Sequence, residues 1–96
     1  MTLPTPQQVE WQDCELGMFY HFDIPIYKPG WDWRSWKVLP PAEQYNPEKL
    51  STDQWLEAAR AIGARYAVFV AQHCSGFCQW QTDIYPYGVR QSPWRN

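Results

Sequence analysis

The chain has 96 residues with ten acidic and eight basic side chains, a net charge of −2, which bounds it at one small domain and argues against a nucleic-acid partner. A chain this short buries only about 60–65% of the surface that its unfolded form exposes. No apolar stretch approaches the roughly 20 residues of a membrane span, and Met1-Thr2-Leu3-Pro4 leads directly into a polar segment instead of a signal-peptide core.

A short helix opens at Thr5-Pro6-Gln7-Gln8 and runs to about Cys14. Thr5 caps it, Pro6 fits the first helical position, and Gln8 completes a capping box. Gly17 to Phe22 reads as a first strand, apolar on both faces as parallel-sheet strands are. The connection from Asp23 to Leu50 is far longer than the usual 2–6 residues of a strand-to-helix loop. It is too aromatic to be disordered, with Tyr27, Trp31, Trp33, Trp36 and Tyr45, and its five prolines rule out a long helix. Seven tryptophans and six tyrosines in all exceed what one small core requires and suggest stacking surfaces or a share in a larger core.

Ser51 and Gln54 form the capping box of the next helix. Trp55, Ala58, Ala59 and Ile62 make one apolar stripe, and Gly63 stands where a left-handed cap residue is wanted. Tyr66 to Ala71 is the second strand. A turn from Gln72 to Cys78 follows it, and the tail from Gln79 shows no clear period.

Strand, helix, strand with this spacing makes two parallel strands. His21 and His73 then lie at the same edge of the sheet and are expected side by side. In α/β proteins that edge carries the binding or catalytic site. Two strands are fewer than a stable sheet needs, so the chain is expected to be a piece of something larger. Cys14, Cys74 and Cys78 match no disulfide framework and read as free thiols. A zinc site from His73, Cys74 and Cys78 would lack the second ligand pair such sites have, so no metal and no cofactor is expected.

Three motifs resemble the α-L-fucosidases of glycoside hydrolase family 29. Glu15-Leu16-Gly17-Met18-Phe19-Tyr20-His21-Phe22 looks like the family's first barrel strand, F-G-M-F-I-H-[WF]. Tyr45-Asn46-Pro47-Glu48-Lys49-Leu50 and the helix after it, through Gly63-Ala64-Arg65-Tyr66, are similar to F-N-P-x-x-[FL] and A-x-x-W-x-x-x-A-K-x-A-G-A-K-Y. Ala71-Gln72-His73-Cys74-Ser75-Gly76-Phe77 is close to A-K-H-H-D-G-F, and Ser92-Pro93-Trp94 resembles the family's S-P-[FW]. The order and spacing of these motifs carry the resemblance over nearly the whole chain.

The resemblance implies an α/β fold in which residues 1–96 are the N-terminal β-α-β portion of a (β/α)8 TIM-like barrel. It implies retaining hydrolysis of a terminal α-L-fucoside, with a fucosylated glycan or fucoside as partner. That reaction needs a nucleophilic carboxylate and a carboxylic acid/base across the scissile bond. In the family both lie on later strands, so this chain is expected to hold no catalytic residue and to be inactive alone. His21 and His73 resemble family histidines that hydrogen-bond fucose hydroxyls, a task suited to imidazole. Asp32 and Trp33 resemble a Glu-Trp pair, the carboxylate accepting from the sugar and the indole stacking on it, with Trp31 and Trp36 as alternative stacking residues. Cys74 and Ser75 depart from the family's His and Asp, and a thiol hydrogen-bonds a sugar poorly.

The alternative reading is a stand-alone carbohydrate-binding or interaction module without catalysis, whose platform is the loop tryptophans. Self-association is expected through open strand edges. The compartment of the parent protein is left open, a periplasmic or secreted one included.

Overall fold

The computed structural model describes residues 1–32, 34 and 38–95. The chain divides into two compact units. One comprises Met1–Tyr20 and Ser51–Phe69; the other comprises the described residues of His21–Leu50 and Val70–Asn96.

Among the described residues, the first unit holds the α-helices and the paired strands. Helix α1 spans Pro6–Asp13. Thr5 Oγ1 accepts from the Gln8 N–H at 3.3 Å, and the Thr5 N–H donates back to Gln8 Oε1 at 2.7 Å, so the capping box is complete. The helix buries none of its residues; its Trp11 ring sits 6.0 Å from that of Tyr66. After it the chain reverses through Glu15, whose φ of 60° lies in the left-handed region.

Strand β1 spans Gly17–Tyr20 and strand β2 spans Tyr66–Phe69. They pair in parallel, Gly17 opposite Tyr66 and Tyr20 opposite Phe69. Both are shorter than the sequence suggests, because pairing ends at Tyr20 and Phe69. Gly17 is required where it is: a Cβ there would collide with the Tyr66 ring.

Helix α2 spans Thr52–Ala61. Ser51 Oγ accepts from the Gln54 N–H at 3.3 Å, half of the expected box. The far end is a Schellman motif, with Gly63 at φ 82° donating to Arg60 and Ala64 donating back to Ala59. Trp55 covers one face of the sheet. Tyr20 stacks on it at 5.1 Å and donates its hydroxyl to the Trp55 carbonyl at 2.5 Å, and Phe69 lies against the same indole.

Neither strand is buried on both faces, contrary to the sequence reading. Phe19 is 63% exposed and Phe69 47%. The sheet has only two strands among the described residues, and of the apolar stripe on α2 only Ala59 is buried, with Ile62 left 55% exposed.

The second unit is built from loops and 3-10 turns at Ile24–Tyr27, Ala42–Gln44 and Val89–Gln91. Its core is Ile24, Ala42, Tyr45, Phe77 and Val89, flanked by Phe22, Tyr27 and Tyr87. Ile24, Tyr27, Ala42 and Tyr45 of the long connection after β1 are therefore packed, in keeping with its aromatic content. Tyr45 and Phe77 lie 4.7 Å apart, and Tyr87 meets Phe77 edge-on at 5.3 Å; such pairs each add about 0.5–1.5 kcal/mol beyond their burial. Polar anchors replace the missing sheet. Tyr45 donates to Gln79 Oε1 at 2.7 Å, Gln79 donates to the Phe22 carbonyl at 2.5 Å, and Tyr87 donates to the Pro40 carbonyl at 2.5 Å. The tail has order without period. Cys78 bridges Gly88, and the buried Ser92 donates to Val89 and accepts from the Trp94 N–H. Among the described residues no helix is long and apolar enough to cross a membrane.

Candidate functional site

His21 is the residue after β1, and His73 stands four residues after β2. Both belong to the second unit. Their rings meet edge to face, with centroids 4.7 Å apart at 90°. Both side chains are exposed.

The turn that carries His73 is held from below. Gly76, at φ 77°, donates to the His73 carbonyl at 3.0 Å. Gln72 Nε2 donates to the Gly76 carbonyl at 2.9 Å, so the glutamine that replaces the lysine of the resembled motif closes the turn on itself. Phe77, fully buried, sinks the end of the turn into the core, a side-chain burial worth about 1.5–3 kcal/mol. Ser75, 3% exposed, donates to Asp23 Oδ1 at 2.5 Å and accepts from the Phe77 N–H at 3.0 Å. Asp23 Oδ1 also accepts from the Ile24 N–H at 2.9 Å. The Asp23–Ser75 bond ties the segment bearing His21 to the turn bearing His73. The other oxygen of the carboxylate, Asp23 Oδ2, is buried without a partner.

Asp23, His73 and Cys74 present ligand-type atoms that all lie within 4.8 Å of one another. In a continuing strand, neighbours such as His73 and Cys74 would point to opposite sides. They are brought to one side because β2 has ended by then and both sit in the turn, where alternation no longer holds. Cys78 does not join them. It is buried, burial pushes its thiol pKa up, and its sulfur accepts from Gln72 at 3.4 Å. All three cysteines are free, as expected.

Asp32 uses its carboxylate on its own loop, accepting from the Arg34 N–H at 2.9 Å and pairing with the Arg34 guanidinium at 3.3 Å. It is not part of the Asp23–His73–Cys74 group. Trp33 and Trp36, the proposed stacking residues, lie outside the described residues. Asp23 and Ser75 are what sequence reasoning missed as partners. The available signal was an aspartate two residues past a strand-end histidine, facing a serine two residues past the other histidine.

Residues 10–96 match the family model described as alpha-L-fucosidase. The chain is 33% identical to Alpha-L-fucosidase 1 of Arabidopsis thaliana over 96 residues, all of this chain and 18% of that protein. It is 28% identical to the tissue alpha-L-fucosidase of Mus musculus over 74 residues, 77% of this chain and 15% of that protein. Among solved structures, a putative alpha-L-fucosidase from Bacteroides thetaiotaomicron superposes with a TM-score of 0.84 at 33% identity, over 100% of this chain and 23% of that one. Another from Bacteroides ovatus gives 0.79 at 36% identity, over 97% of this chain and 16% of that one. The chain thus spans less than a quarter of the length of these relatives.

Proposed function

We propose, given that this chain belongs to the alpha-L-fucosidase family, that residues 1–96 are the N-terminal β-α-β portion of a (β/α)8 barrel and supply part of the fucose-binding pocket of a retaining α-L-fucosidase. The observation that carries this reading is the His21–His73 ring pair, 4.7 Å apart and exposed, following two parallel strands. Two adjacent imidazoles offer donors and acceptors to neighbouring hydroxyls of one sugar ring. In this reading His21 and His73 bind the sugar hydroxyls, Asp32 accepts from them, and Trp33 or Trp36 stacks on the apolar face. Cys74, in place of a histidine, contributes a weaker contact.

Hydrolysis with retention needs two carboxyl groups about 5–5.5 Å apart, one attacking the anomeric carbon and one donating and then removing the proton. Asp23 is engaged with Ser75 and Ile24, and Asp32 with Arg34. Neither resembles a family catalytic motif, so the chain alone binds without cleaving. The outer edges of β1 and β2, which meet no further strand among the described residues, support self-association of the chain as a stand-alone module.

Isothermal titration of the chain with L-fucose, alongside an aryl fucoside assay, tests this. The expected result is binding that His21→Ala and His73→Ala each weaken about tenfold, the loss of roughly one charge-free hydrogen bond, with no turnover. Turnover that disappears in Asp32→Asn would overturn the inactivity, and fucose affinity indifferent to both histidines would overturn the pocket.

A further inference from the structure

We propose that Asp23, His73 and Cys74 form a binding site for a zinc-class divalent cation. The site shares His73 and Cys74 with the proposed sugar pocket but is argued from the placement of its ligand atoms and does not require fucoside binding.

Three observations carry the proposal. The first is placement. One carboxylate oxygen, one imidazole nitrogen and one thiol sulfur lie within 4.8 Å of one another. Zinc bonds of about 2.0–2.3 Å at tetrahedral angles place ligand atoms about 3.5 Å apart. The group therefore closes on an ion by moving on the order of 1 Å, a shift that rotation of the exposed His73 and Cys74 side chains supplies.

The second is the unfilled acceptor. Asp23 Oδ1 already takes two hydrogen bonds, from Ser75 and Ile24, while Oδ2 is buried with none. A buried carboxylate oxygen without a partner is costly, and a cation at that position removes the cost. Ser75 and the Ile24 N–H then act as outer-shell groups that fix the carboxylate for the metal. The His21 ring packs edge to face against the His73 imidazole at 4.7 Å.

The third is ligand chemistry. Imidazole and thiolate select zinc-class ions, whereas calcium and magnesium require oxygen ligands. A cysteine where the resembled motif has histidine is a poor hydrogen-bonding substitute for a sugar but a strong zinc ligand. Three protein ligands with two exposed side chains leave a fourth position for water or another hydroxyl. Binding releases the Cys74 thiol proton to solvent, since the thiolate is the ligand.

The test is titration of the reduced chain with Co2+, read by the thiolate-to-cobalt charge-transfer band, followed by displacement with Zn2+. The expected result is a band that saturates at one ion per chain and that Zn2+ abolishes. It is absent in Cys74→Ser, and His73→Ala and Asp23→Asn each lower the affinity about tenfold or more. Cys74 is exposed, so its replacement leaves the fold unchanged, which circular dichroism checks. Absence of the band overturns the proposal. So does a band that survives in Cys74→Ser, which would assign the ion to Cys14 or Cys78, and so does displacement of Co2+ by equimolar Mg2+.

Discussion

Ser75 shows how one small side chain organises the candidate site. Its hydroxyl donates to Asp23 and accepts from Phe77, and it is almost wholly out of water. Ser75→Ala leaves the Asp23 carboxylate and the Phe77 N–H short of a partner at once. A bond to a charged group in such a place is worth about 1.5–3 kcal/mol. The variant should lower the urea midpoint by a corresponding amount with an unchanged slope, and a shift below about 0.5 kcal/mol would mean that the bond does not hold the turn. The same bond was invisible in the sequence. A serine and an aspartate 52 residues apart carry no periodic signal, and only the folded second unit brings them together. The two histidines were legible because strand ends in a parallel pair fall on one edge, a rule that depends only on spacing.

At the scale of elements, what the sequence reveals is what is local. Both helix starts, the Gly63 stop and the parallel pairing of β1 with β2 follow from residues a few positions apart or from the strand-helix-strand order. The core of the second unit does not, because Ile24, Tyr45, Phe77 and Val89 come from turns with no repeat. The strand ends are not local either: an apolar run continues past the last residue that finds a pairing partner. Two of the left-handed residues make a paired test. Glu15, at φ 60°, bears a side chain where glycine is favoured, and Gly63, at φ 82°, is a glycine where one is needed. Glu15→Gly should raise stability and Gly63→Ala lower it, each by about 1 kcal/mol. Chemical denaturation of both variants checks the signs, and a loss on both would remove backbone strain as the explanation at Glu15.

For the whole molecule, the second unit sets the alkaline limit. Burial, and then nearby charges including Asp23, push the Tyr45 and Tyr87 hydroxyls from their ordinary 10.0 up to about 12. Tyr27 is also raised by burial. A tyrosine is neutral when protonated, so the fold favours the protonated form and the unfolded chain releases the proton first. The contribution to stability is complete below pH 10 and is lost as the pH rises through about 12. Tyrosinate absorbance from these residues and loss of near-ultraviolet circular dichroism should therefore appear together above pH 10. Full tyrosinate formation with the dichroism intact would contradict the burial of these rings as the cause. The expected double burial of the sheet is the largest whole-molecule difference from the sequence reading. The exposed faces of Phe19 and Phe69 follow from a sheet of two strands, a property no single segment encodes.

The hydrogen bond between Ser75 and Asp23 closes a loop of 52 residues. Bringing such distant segments together costs chain entropy before any contact repays it. The helices need no such closure, since their caps join residues three apart. The histidine pair is thus a property of distant segments held together and of neither alone: a peptide bearing His21 or one bearing His73 keeps its residues but not their neighbourhood, whereas each helix cap survives in a peptide of its own.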